Sequence, residues 1–140
     1  MTSPAATDRY AIESGVVLVV EVPASTADRV RRAIEEAAGL TYGDYDRVSF
    51  TSAEGIQRFR VLPTARNPAT EDTVEARVQS LRVFLPDAAV EPALRAIYAV
   101  HPYEEPVILL TQGHRALHRR GTDEDNPNRL WNGPDPDWMV

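Results

Sequence analysis

Val17-Leu18-Val19-Val20-Glu21-Val22-Pro23 and, further along, Gln79-Ser80-Leu81-Arg82-Val83-Phe84-Leu85-Pro86 form a weak internal repeat. Each is an aliphatic, β-branched run closed by a proline and followed by a helical pattern. Such a run reads as a buried strand. After the first, Ser25 is placed to cap a helix with Asp28 three residues on. Val30, Ala33, Ile34 and Ala37 then recur at helical spacing until Gly39 ends it. After the second, Val90, Leu94, Ile97 and Tyr98 supply an apolar stripe. Pro92 fits there only in a first turn, where its missing N–H costs little, so that helix is expected to start near Ala88 or Ala89.

Between the two units, Arg47-Val48-Ser49-Phe50-Thr51 and Gln57-Arg58-Phe59-Arg60-Val61 alternate apolar and polar residues around Ser52-Ala53-Glu54-Gly55, which reads as a hairpin turn. The resulting order, βαββαβ, predicts an α+β ferredoxin-like sandwich, with both helices on one face of an antiparallel sheet and the other face open. An open apolar face needs a cover, from a partner or from the chain's own tail. The expected organisation is a flexible segment at 1–14, the sandwich at 15–112, and a tail at 113–140.

Ala99-Val100-His101-Pro102-Tyr103-Glu104-Glu105-Pro106 concentrates an imidazole, a phenol and two carboxylates between prolines. Pro102 and Pro106 push His101 and Glu105 toward extended geometry. His101, Tyr103 and Glu105 are then expected to face one way and Glu104 the other. These groups suit a divalent cation, a hydroxyl-bearing or cationic ligand, or proton transfer. They also suit a plain corner, with His101 bonded to a backbone carbonyl and Tyr103 packed.

With Val107-Ile108-Leu109-Leu110 behind it, this stretch resembles the HPYE-x-P signature of CutA-type proteins. It is closer still to the CutA/PII-like domain inserted in bacterial Nif-three-like proteins, which carries a GNY-x-x-CSF segment upstream. Here that segment reads Gly43-Asp44-Tyr45-Asp46-Arg47-Val48-Ser49-Phe50, and the following Asn-Pro is Asn67-Pro68. The resemblance spans Val16 to Leu110. It departs at Val48, where relatives have Cys, and at Ala69-Thr70-Glu71-Asp72-Thr73, which lacks the usual glycines. The resemblance implies a homotrimer that covers the open sheet face, with a divalent metal such as copper or zinc, or a small ligand, bound in clefts between subunits. It implies a regulatory or metal-homeostasis role, and it does not supply the dinuclear centre of the full-length Nif-three-like proteins.

If the ends of the two helices lie at one end of the sheet, Tyr45, Asp46 and Ser49 join His101, Tyr103, Glu104 and Glu105 as candidate ligand-binding residues. In the tail, His114-Arg115-Ala116-Leu117-His118-Arg119-Arg120-Gly121 reads as two helical turns that bring His114 and His118 to one side. With His101, Glu104 and Glu105 they complete a candidate metal-ligand set, set against the plainer reading of a solvated face. Asn126-Pro127-Asn128-Arg129-Leu130-Trp131 and Pro134-Asp135-Pro136-Asp137-Trp138-Met139 read as an extended strap, with Trp131 and Trp138 buried against the domain or a neighbouring subunit.

The 140 residues carry a net charge of −6, and every basic residue is an arginine. That balance argues against nucleic acid as a partner. No dinucleotide or triphosphate glycine loop occurs, so no nucleotide cofactor is indicated. There is no cysteine, no charged-then-apolar leader, and no aliphatic run longer than Val16 to Val20, so a cytoplasmic protein without a membrane partner is expected. Two further readings stand beside the trimeric binding protein. One is a small enzyme, a hydrolase, isomerase or cyclase, using His101 with Glu104 or Glu105 as acid and base. The other is an adaptor that regulates a separate protein.

Overall fold

The structure, a computed structural model, describes residues 4–139; the start of the expected flexible segment, 1–3, and the last tail residue, 140, lie outside the described residues. The elements are β1 (Tyr10–Val22), α1 (Ala24–Ala38), β2 (Phe50–Thr51), β3 (Gly55–Phe59), β4 (Val74–Leu85), α2 (Asp87–Val100) and β5 (Ile108–His118), with a 3-10 turn at Leu130–Asn132. They fall into two compact units, one from Ser14 to Gly113 and one joining the residues up to Glu13 with those from His114 onward. No helix among the described residues is long and apolar enough to cross a membrane.

In the larger unit the sheet order is β2-β4-β1-β5, and β3 also pairs with β4. β1 and β4 run antiparallel with Val16 opposite Leu85, Leu18 opposite Val83 and Val20 opposite Leu81. Because side chains alternate along a strand, these residues share one face, and all of them are buried. Ala27, Val30 and Ile34 of α1 and Ala93 and Ile97 of α2 close over that face. Each large aliphatic side chain taken out of water there contributes about 1.5–3 kcal/mol. The result is the ferredoxin-like α+β sandwich.

Several local expectations are corrected. Pro23, not Ser25, stands at the start of α1; Ser25 lies inside the helix, and no side chain caps it. Gly39 does end the helix, in the left-handed region at φ 71°. The buried stripe of α1 begins one turn earlier than expected, at Ala27, and Ala37 is exposed. α2 begins at Asp87, which puts Pro92 in the second turn, and Ala93 rather than Tyr98 reaches the core; Tyr98 is 58% exposed.

The hairpin at Ser52–Gly55 is not formed. β2 and β3 both pair with β4, Phe50 opposite Arg82, Thr51 opposite Leu81 and Gly55 opposite Val78. Residues 52–54 therefore face only 79 and 80, which makes them a bulge in one interrupted edge strand. Ser52 holds the bulge: its N–H donates to the Ser80 carbonyl at 2.9 Å, and its hydroxyl accepts the Ser80 N–H at 2.8 Å. The true connection between antiparallel neighbours is the long loop 60–73.

In the smaller unit, residues 10–13, expected to be flexible, are strand, and the expected helix at 114–121 is instead strand to His118, the end of β5, followed by a turn. Arg115, almost fully buried, pairs with Glu13 at 3.1 Å. The Arg119 N–H donates to the Arg9 carbonyl at 3.1 Å. Pairing with β1 outweighs the modest helical preference of the His/Arg/Ala/Leu run. Trp131 and Trp138, expected to be buried against the domain or a neighbouring subunit, are 39% and 71% exposed in the single chain.

Gly15 admits no side chain: a Cβ there would lie 2.5 Å from the Leu85 carbonyl oxygen and 2.6 Å from the Phe84 ring. Gly15→Ala is expected to lower stability by about 1–3 kcal/mol through overpacking, measured by urea unfolding; a change within error would show that the strands yield freely at this point.

Candidate functional site

α2 ends at Val100, and the His101 N–H closes the last turn on the Ile97 carbonyl at 2.8 Å. Pro102 demands extended geometry before it, and His101 adopts φ −67°, ψ 134°. This aims the imidazole back at β1. Nε2 lies 2.8 Å from the Glu21 carbonyl oxygen, and Nδ1 accepts the Tyr103 N–H at 3.1 Å. With Nδ1 accepting, the proton sits on Nε2 and is donated to Glu21, so the ring is neutral. The Tyr103 ring meets it edge-on at 5.2 Å, and His101 is 8% exposed. The Glu21 N–H in turn donates to the Val107 carbonyl, at 3.1 Å, where the chain enters β5.

Glu104 points to the 60–73 loop. Its carboxylate accepts the backbone N–H of Arg66 at 2.8 Å and of Asn67 at 3.2 Å, and the Asn67 side-chain amide at 2.8 Å. The two backbone N–H groups do most to hold its pKa below the ordinary value of 4.5, with help from the Asn67 amide and the Arg66 cation. Together they outweigh the desolvation that acts the other way. Glu105 is exposed, and Pro106 behind it is buried. The corner thus joins three separate stretches of chain: the end of α2, the end of β1 and the long loop. Asn67 is visible in the sequence as part of an Asn-Pro pair; Arg66 and Glu21 contribute backbone groups, which no residue pattern marks.

Tyr45, Asp46 and Ser49 do not join this corner. β1 runs up to Glu21 and α1 returns from there to Gly39, whereas β4 runs the opposite way and α2 returns toward Glu21. The two helices therefore end at opposite ends of the sheet, and the shared cleft expected of them is absent from the single chain. Tyr45 is 60% exposed in a tight turn, where Tyr42 and Tyr45 exchange two backbone hydrogen bonds. Gly43 and Arg47 take positive φ, and the Arg47 and Val48 N–H groups return to the Gly39 and Leu40 carbonyls.

The expected metal set is not assembled either. In a strand, His114 and His118 share a face but stand about 13 Å apart, against about 6 Å on a helix. One ion cannot bridge them. Among the described residues no group of three or more His, Asp or Glu side chains could hold a metal ion. Both His101 nitrogens are already engaged by backbone groups. Within one chain, then, the donors do not fit a metal. A shallow concavity of about 450 Å³ lies in the tail, lined by residues that include Glu124, Asn126, Arg129 and Leu130; no residue of the His101 corner lines it.

The fold is shared with the Bacillus cereus protein related to NIF3, at a TM-score of 0.64 and 21% identity over 79% of this chain. The chain spans 28% of that protein's length. CutA1 of the psychrotrophic bacterium Shewanella sp. SIB1 superimposes at a TM-score of 0.54 and 15% identity, covering 71% of this chain and 79% of its own. The divalent cation tolerance protein of Thermus thermophilus gives 0.52 and 20%, covering 71% and 82%. No family model and no curated protein matches the sequence. The chain has the ferredoxin-like fold of the CutA1 proteins, which the NIF3-related protein also contains.

Two outcomes follow from the corner. His101→Ala leaves the Glu21 carbonyl and the Tyr103 N–H without their partner and is expected to cost about 1–3 kcal/mol in chemical denaturation; an unchanged midpoint would deny the imidazole its fastening role. Glu104 has a lowered folded pKa, so its stabilisation is complete above 4.5 and is lost as pH falls through the lower folded value. Wild type should therefore exceed Glu104→Gln in stability at about pH 7, with the gap closing as pH falls below 4.5 and through the lowered folded value. Amide exchange at Arg66 and Asn67 should quicken in the variant at neutral pH.

Proposed function

We propose that this protein is a homotrimeric, CutA/PII-like binding protein that takes a small ligand or a divalent cation in clefts between subunits, in a regulatory or metal-homeostasis role. The observation that carries this reading is the sheet face turned away from the helices. Val17, Val19, Phe84 and Phe50 alternate with the core residues and so lie on that face, and Phe50 is 56% exposed with the Arg82 guanidinium 5.0 Å from its ring. Leu109, next to the core-facing Ile108, is 58% exposed. Arg82 stands among these apolar side chains, between Val19 and Phe50; soluble monomers rarely leave large apolar groups clustered in water, and copies packed sheet to sheet would cover them.

Among the described residues of one chain a cation finds no set of three or more donors, so the metal form of this reading calls on ligands from more than one subunit. A cleft using both His101's neighbours and Tyr45, Asp46 or Ser49 also requires two subunits, because these groups stand at opposite ends of one sheet. The names of the CutA1 neighbours, one of them a divalent cation tolerance protein, favour a cation among the possible ligands. The acid–base enzyme finds less support. His101 is tied at both nitrogens, and Glu104 is held ionised, which suits anchoring better than proton donation.

Light scattering at micromolar concentration is expected to give three times the mass of one chain, and Phe50→Asp should shift it toward the monomer. Calorimetric titration of the assembled protein with zinc or copper then tests the cleft. A monomeric wild-type chain overturns the assembly, and a trimer that takes up neither ion leaves the small-ligand form of the proposal as the one to pursue.

A further inference from the structure

The unit that joins the residues up to Glu13 with those from His114 holds a ring of polar and aromatic contacts that neither the fold nor the His101 corner explains. Arg9 stands in it as a bridge: Nη1 donates to His118 Nδ1 at 2.6 Å, and Nη2 donates to Asp123 Oδ2 at 3.1 Å. Asp123 also accepts Arg129 Nε, and Asn126 Nδ2 at 3.0 Å. The Arg129 guanidinium lies over the Trp131 ring at 5.1 Å, and that ring sits 5.4 Å from the His118 imidazole. Arg9, His118, Trp131, Arg129 and Asp123 thus form a closed circuit.

A guanidinium can only donate, so the circuit requires a bare lone pair on His118 Nδ1. We propose that this circuit is a proton-operated clasp, which uptake of a proton by His118 opens, freeing the Leu130–Asn132 turn from the segment before β1. An imidazolium would set an N–H against the Arg9 N–H, while Arg9 is also held to Asp123 through its other terminal nitrogen. Among the described residues, Arg9 from the segment before β1 bonds His118, and Arg129 from the tail lies across Trp131 from it; both are cations. The carboxylate of the circuit, Asp123, is already shared among Arg9, Arg129 and Asn126, and its pKa is held at about 2, chiefly by Arg129 and Asn126. It is not the trigger. His118 is exposed, so protons reach it from solvent.

Trp131 reports on the clasp. In the full chain carrying Trp138→Phe, acrylamide quenching of Trp131 is expected to rise about twofold in a single step between about pH 8 and about pH 5, where imidazoles change charge. His118→Gln offers an amide oxygen to Arg9 but takes up no proton, so it should keep the high-pH quenching and lose the step. His114→Gln should retain the step. A step that survives His118→Gln, or a flat profile with His118 in place, overturns the clasp. Should His118→Gln fail to fold, the nitrogen-15 shift of His118 Nδ1 in wild type decides: an unprotonated acceptor at about pH 8 is expected, and a protonated Nδ1 there overturns the proposal.

Discussion

The pairing of β1 with β4, from Val16 opposite Leu85 to Val22 opposite Gln79, is the constraint on which the rest of the molecule depends. Strand side chains have a period of two, so if β4 slipped by one residue against β1, Leu81 and Val83 would turn out of the core and Arg82 and Phe84 into it. A buried guanidinium without a partner makes that alternative costly. Each strand ends at a proline, Pro23 or Pro86, that also stands at the head of a helix. The register thereby sets where both helices start and which side of each faces the sheet.

The His101 corner follows from that register. α2 returns across the sheet to the row of Glu21, which lets the imidazole bond to a backbone carbonyl far away in sequence. A neutral ring between one backbone acceptor and one backbone donor is well suited to keep a turn in place. Glu104 extends the same corner to the loop 60–73 by a different means, an ionised carboxylate set among backbone N–H groups. Two residues of one short motif thus fix the ends of two segments that share no sequence pattern with it.

The two strand-proline-helix units could be read from the sequence because their signals are local and mutually consistent: aliphatic runs, helical stripes and Gly39. The bulge at 52–54 could not. Ser52-Ala53-Glu54-Gly55 has the composition of a turn, and only the pairing with β4 shows that the chain continues in the same direction through it. His114 to His118 failed as a helix because strand pairing, a tertiary effect, decided its conformation. The chemistry of the site was least legible. His101 and Glu104 stood out as residue types, yet their partners are mostly backbone groups, and every residue carries those. The relation of Tyr45 to His101 turned on the directions of two helices, which strand order alone decides.

Central position in the sheet has a cost in time for β1. One of its neighbours, β4, starts some fifty residues after β1 ends, but the other, β5, comes after α2 and is the last strand among the described residues. The Arg9 carbonyl finds the Arg119 N–H, and Glu21 finds Val107, only after the chain from β1 through β5 has left the ribosome. Until then one row of β1 amides and carbonyls is an open edge beside an aliphatic run, the kind of surface on which nascent chains pair with one another. Closing such distant contacts slows folding as well. Demand for chaperones during synthesis should therefore fall on the interval between completion of β4 and arrival of β5.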